Sequence, residues 1–253
     1  MEKSNEAPRR AKVLWTDEDY LAKLRYGYLT VTVAILSFVG LLVMNYLLLD
    51  NALYIKILVT YAKAYRGFIR TILIIIATII PVVICRRNAV IRPVRSIVFY
   101  FISLFVWGLP LGMIMIAFPQ VIIPAALQVT VLTLIFCSIG MLFKKDLSSW
   151  GSILGFGLVS VILATLLSSN FLHLSFVSSL SYYATVVIFL GYLIYDANIA
   201  MNLYPEAKKV GGLCLVSILL ASSLDILQDI IILFMESILS DNDLDGDDFD
   251  SFW

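Results

Sequence analysis

Residues 213–239 read LCLVSILLASSLDILQDIIILFMESIL, an apolar run of twenty-seven residues with two aspartates in its middle. As a helix it would reach about 40 Å at 1.5 Å per residue, more than the roughly 30 Å hydrocarbon core of a bilayer. A carboxylate near the bilayer centre costs roughly 2.5–3.5 kcal/mol on insertion scales, while each Leu, Ile, Val or Phe returns about 0.3–0.6. Asp225 and Asp229 therefore offset most of what the aliphatic residues contribute, so this span inserts only marginally alone and belongs inside a bundle. Ser222, Asp225, Asp229 and Glu236 recur at three, four and seven residues, one polar stripe on an apolar helix. Ionisable residues at such a depth read first as a polar pathway or proton-linked switch. The alternative is a set of hydrogen-bonded acids that only tie helices together.

The rest of the chain agrees with lipid as solvent. Of 253 residues 61% are hydrophobic and 14% charged, with a mean hydropathy of +0.96, against roughly 45–50% and about 25% in globular domains. A soluble enzyme, a nucleic-acid binder and a disordered protein are excluded. Six more apolar stretches precede the first, near Tyr28–Leu49, Phe68–Cys85, Ser96–Phe118, Ile122–Phe143, Trp150–Leu167 and Val177–Ile199. All are continuous, without the period-two alternation of barrel strands. The expectation is an all-α polytopic membrane protein, a seven-helix bundle with the last helix central. It would have a cytosolic segment 1–26, a membrane domain 27–239 and an acidic tail 240–253.

Eighteen bases balance eighteen acids, but the two are segregated: six acids fall in the last thirteen residues, and no base follows Lys209. Fourteen bases lie on one side of the expected topology: six before the first span, then Arg86, Arg87, Arg92 and Arg95, Lys144 and Lys145, and Lys208 and Lys209. Four lie on the other: Lys56, Lys63, Arg66 and Arg70. The positive-inside rule makes the N-terminus cytosolic, and seven spans then put the tail across the membrane unless the last helix is re-entrant. The polar first 26 residues carry acids as well as bases, unlike a cleavable signal, so the first span is expected to act as an uncleaved anchor. Cys85, Cys137 and Cys214 sit in or beside apolar runs as small hydrophobes, with no disulfide framework. His173 is the one histidine, which rules out zinc hydrolases built on several imidazoles.

A third intramembrane acid, Asp196, closes the sixth stretch. Two carboxyls within a few ångströms in a poorly solvated bundle cannot both ionise, so the titration belongs to the pair and one proton can hold two helices together. Loss of that proton leaves like charges or a cation-binding pair; gain of a second removes the charge-assisted hydrogen bond. Tyr195-Asp196 followed by Asp229-Ile230-Ile231-Ile232-Leu233-Phe234 resembles the paired aspartate signature of the Bax inhibitor-1 family, the transmembrane Bax inhibitor motif proteins. Arg86-Arg87 with Pro93, Gly108-Leu109-Pro110-Leu111-Gly112, and Lys144-Lys145-Asp146-Leu147 with Gly151 resemble further family segments in order, over about residues 22–239.

The resemblance implies a seven-helix fold and a pH-sensitive calcium leak in the endoplasmic reticulum or Golgi that suppresses cell death, with calcium as permeant ion and no cofactor. It also implies a dyad of Asp196 with Asp229 that closes the cytosolic side, and a basic partner at Arg86 or Arg87. The chain departs from the family at Ala197-Asn198, where Thr-Gln is usual, and at Trp107, where an acid is common. Local string favours Asp229 as the second dyad member and loop length favours Asp225; both share a face. Such divergence resembles the cytomegalovirus seven-span proteins, which implies the alternative of a non-conducting adaptor that serves immune evasion or retains host membrane proteins.

Other classes fit less well. A heptahelical receptor needs an outward N-terminus, a retinal protein needs a Lys in the last span, and an intramembrane aspartyl protease needs Gly-x-Gly-Asp where this chain has Ser222-Ser223-Leu224-Asp225 and Ile226-Leu227-Gln228-Asp229. No enzyme is expected. In the tail, Asp241, Asp243, Asp245 and Gly246 match the start of a calcium loop, but its twelfth position is Phe252, so any calcium site there is weak. The base distribution makes a direct prediction. In a variant lacking the native cysteines, a cysteine at position 90 should label from the cytosolic face and stay unlabelled from the other.

Overall fold

The computed structural model describes residues 17–65, 68–167 and 175–241. Among these it has eight helices: α1 (Asp17–Leu48), α2 (Ala52–Tyr65), α3 (Phe68–Asn88), α4 (Pro93–Ala117), α5 (Ile122–Leu142), α6 (Trp150–Leu167), α7 (Ser175–Val210) and α8 (Gly212–Asp241). The seven apolar stretches become α1 and α3–α8. Five helices, α1, α4, α5, α7 and α8, are long and apolar enough to cross a membrane, and the described part of α6 is a shorter apolar helix. The chain is a polytopic helical bundle.

An eighth helix, α2, joins the seven that the apolar stretches form. Residues 50–67 fall between the first two expected spans, and Asn51 there is an N-cap: its Oδ1 accepts from the backbone N–H of Leu53 at 2.9 Å and of Tyr54 at 3.4 Å. Tyr54, Leu58 and Ala62 recur every four residues and are buried, while Lys56 and Lys63 stay outside. The Tyr54 hydroxyl donates to Oδ1 of Asn45 near the end of α1, which docks α2 onto the bundle. With 14 residues it reaches about 21 Å, short of a crossing.

Two further boundaries differ. The first helix begins at Asp17, inside the expected N-terminal segment, with Lys23 and Tyr26 buried. The sixth stretch was expected to end near Ile199, yet α7 continues through Pro205 to Val210. Its inward face persists across that proline: Ala197, Ala200, Met201 and Ala207 are buried, and Tyr204 packs on Tyr26 with ring centroids 5.4 Å apart. Gly211 and Gly212 then turn the chain at φ +63° and +53°, a left-handed conformation that glycine adopts without Cβ strain.

The last helix is central, as its marginal insertion requires. In its apolar window 72% of residues are buried, against 22–33% in the other four long spans. It packs against α1, α3, α4, α5 and α7, with α6 placed outside on α7. Leu224, Ile226, Leu227, Ile230, Ile231, Phe234 and Ile238 are sealed on every side, and Phe234 meets Phe38 of α1 edge-on at 5.2 Å.

Backbones approach closely where residues are small, the usual way helices associate when lipid removes the hydrophobic drive. A Cβ on Gly140 of α5 would overlap the Ile194 carbonyl of α7, whereas one on Gly40 of α1 would meet nothing within 4 Å. Gly140→Ala should therefore force α5 from α7 and cost about 1–3 kcal/mol. Gly40→Ala should be neutral or gain up to about 1 kcal/mol from helix propensity. Thermal unfolding of the two variants in detergent checks the contrast.

Candidate functional site

Four helices aim polar groups at one interior space. On α7, Tyr192, Tyr195 and Asp196 fall at helical spacings of three and four, and on α8 Asp225 and Asp229 are one turn apart. They line a cavity of about 590 Å³ with Gln228, with Thr78 and Arg86 of α3, with Trp107 and Pro110 of α4, and with Gly151 and Leu158 of α6. A smaller cavity of about 150 Å³, lined by Ala89, Leu203, Glu206, Ile218 and Ser222 among others, lies toward the α7–α8 turn. Arg86, Asp196 and Asp225 line both cavities. They are the partition between them.

The acids divide into two kinds of contact. The carboxyls of Asp196 and Asp229 lie within hydrogen-bonding reach of each other, a contact that becomes a hydrogen bond only when one of them carries a proton. Asp229 is 5% exposed, and its Oδ2 meets no donor. Asp225 instead faces Arg86, whose Nε is 3.4 Å from Asp225 Oδ2. That guanidinium group is more than half exposed, and an ion pair open to solvent holds with about 1 kcal/mol or less. A carboxyl–carboxyl contact thus links α7 to α8, and an exposed ion pair links α3 to α8. Arg87, one residue on, is exposed and lines neither cavity.

Each group has a local reason for its place. Arg86 and Arg87 sit in the last turn of α3, where a base favours the helix dipole. A Cβ on Gly151 would lie 2.7 Å from the Tyr195 hydroxyl oxygen, so glycine there leaves the phenol its room beside Asp196. Pro110 carries no N–H, and the Val106 carbonyl one turn earlier loses its helical donor beside the cavity. Ser222 reaches the smaller cavity, but the polar stripe does not continue to Glu236 on the cavity wall.

Asn198 had no assigned role in the sequence beyond a departure from the family string. Its Nδ2 donates to the carbonyls of Gly140 at 3.1 Å, Phe143 at 3.0 Å and Lys145 at 3.2 Å. Its Oδ1 accepts from the Leu147 N–H at 3.0 Å and from Asn202 Nδ2 at 3.1 Å. One amide thereby closes the open carbonyls at the end of α5 and fixes the segment of α7 that bears Asp196. The signal available in the sequence was a polar residue two positions after the first acid. Trp107 buries its indole Nε1 at the cavity without a partner.

Among the described residues, no three His, Cys, Asp or Glu side chains converge closely enough to hold a metal ion. Of the calcium-loop candidates, Asp241 ends α8, while Asp243 and Asp245 lie outside the described residues. Cys85, Cys137 and Cys214 are free thiols.

Asn198→Ala should remove the clamp and strand main-chain groups at the end of α5, at a cost of about 1–3 kcal/mol. Asn202→Ala, which loses one exchangeable contact, should cost less. Chemical or thermal unfolding of both variants measures the difference. No curated protein and no solved structure gives a significant match to this chain. The family model described as "Inhibitor of apoptosis-promoting Bax1" matches residues 19–240, the same span that holds the acid pair, and the chain belongs to the Bax inhibitor-1 family.

Proposed function

We propose that the chain is a pH-sensitive calcium leak of internal membranes, the endoplasmic reticulum or Golgi, which lowers stored calcium and restrains cell death. In this reading α1 and α3–α8 make seven crossings, the N-terminus is cytosolic, α2 rests at the far end, and the bilayer and the permeant calcium are the partners. No catalysis is involved. The observation that supports it is the partition of Arg86, Asp196 and Asp225 between two cavities stacked along α8.

A partition built this way is a gate. The guanidinium plugs the passage electrostatically and is held by a solvent-open pair with Asp225, which thermal motion can break. The shared proton keeps α7 on α8; without it two carboxylates face each other and repel or take up a cation. Carboxyls that release the proton are also hard oxygen ligands, which suit calcium in transit.

Reconstitution into liposomes loaded with a calcium dye tests the reading. Wild-type protein should leak at a rate that changes with pH, and Asp196→Asn or Asp229→Asn should flatten that response, because the pair no longer shares a titrating proton. Asp225→Asn should keep the response and raise the basal leak by up to about fivefold, the factor corresponding to about 1 kcal/mol of lost pairing. If folded protein carries no calcium, or all three variants keep the wild-type pH profile, the acids only join helices. A membrane adaptor that retains host membrane proteins then replaces the leak.

A further inference from the structure

The larger cavity is built for more than a hydrated ion. Its about 590 Å³ falls inside the range of roughly 300–1,000 Å³ typical of small-molecule pockets. Much of the wall is aromatic: Trp107 faces it from α4, and Phe189, Tyr192 and Tyr195 follow one another along α7, with neighbouring ring centroids 5.8 and 6.4 Å apart. Rings and aliphatic side chains give nothing to a calcium ion wrapped in water. They give a great deal to a cation that carries its own apolar body, through burial and through the ring quadrupole.

The charge inside the cavity has the matching sign. Arg86 pairs with Asp225, which leaves Asp196 and Asp229 on the same lining as acids without a base of their own. Asp229 is buried and lines the cavity, and its Oδ2 has no hydrogen-bond partner. A buried acceptor without a donor is costly unless something supplies one, and the Trp107 indole N–H at the same wall is a second unpaired group. Three acids against one base, with an acceptor that lacks a partner, beneath a set of aromatic faces are the complement of a protonated amine.

We propose that this cavity binds an amphipathic organic cation, a protonated amine on an aromatic or aliphatic body, with the ammonium on Asp229 and the body against Trp107, Phe189 and Tyr192. The binding rests on the cavity alone and not on the leak reading, and it requires no flux. A guest of this kind would occupy the space that an ion must cross.

The test is calorimetric titration of phenethylammonium into the full-length purified protein in detergent, with phenethyl alcohol as a neutral probe of nearly the same shape. Saturable binding of the amine is expected, with the alcohol at least about tenfold weaker; Asp229→Asn should weaken the amine by a similar factor and leave the alcohol unchanged. Tyr192→Leu retains every charge in the cavity and should weaken the amine severalfold, which gives a second reading if the aspartate variant does not fold. Equal uptake of amine and alcohol would mean partition into apolar surface, and unchanged affinity in whichever of the two variants folds would remove the amine from this cavity; either result overturns the proposal. Calcium flux is measured separately, so a failed leak and a failed binding site give different outcomes.

Discussion

The bundle is organised by the cost of placing carboxyls in lipid. A span that carries Asp225 and Asp229 gains little from insertion on its own, so it is stable only when other helices exclude lipid from it. This explains why α8 is the most buried span and why α1, α3, α4, α5 and α7 surround it. The same constraint dictates what the acids do next. An orphan carboxylate would be too costly, so one acid is paired with an exposed base, and the other two face each other. Stability and the chemistry of the site arise from a single solution to one problem.

Rigidity is distributed unevenly around that solution. The segment of α7 that carries Asp196 is fixed three times over, by the Gly140–Ile194 backbone contact, by the Asn198 amide clamp and by Tyr195 seated at Gly151. Arg86, by contrast, stands at the end of α3 and reaches α8 through one solvent-open ion pair. Opening a passage between the two cavities therefore asks least of the Arg86 side chain and the end of α3. It asks most of α7, whose clamp contains several buried hydrogen bonds. In the proposed leak, a fixed acid pair beside a loosely held base would let a proton or a cation bias the position of one element without unfolding the rest.

What could be read from the residues followed from simple counts. The continuous apolar runs, the stripe of Ser222, Asp225 and Asp229, and the short motifs around Tyr195-Asp196 and Asp229 were enough for an all-helical bundle with the last helix inside and for the family. The helix α2 escaped because Lys56 and Lys63 break the apolar window and its buried face is only three residues deep. The extension of α7 escaped because Pro205, Glu206, Lys208 and Lys209 look like a loop, although buried Met201 and Ala207 keep the helical face going. Arg86 and Arg87 are neighbours in sequence but about 100° apart around a helix, so no string separates them; only the position of Asp225 does. For the same reason Asp225 and Asp229 were interchangeable on paper, being one turn apart on one face, and are distinct only through what opposes them on α3 and α7.

Trp107 shows how one position alters the chemistry of the whole cavity. The resemblance leads to the expectation of an acid in this span, and an indole stands in the wall instead. A carboxylate there would add a negative charge to a space that already holds three acids and one base, and would compete with Asp225 and Asp196 for Arg86. The indole instead leaves the guanidinium to its partners, widens the apolar wall shared with Phe189 and Tyr192, and contributes a lone N–H donor. The field inside the cavity is weaker for a divalent ion and the surface is better for a body with rings or chains. In the proposed leak and amine site, Trp107 would thus shift the balance from passing a small hard cation toward holding a larger soft one.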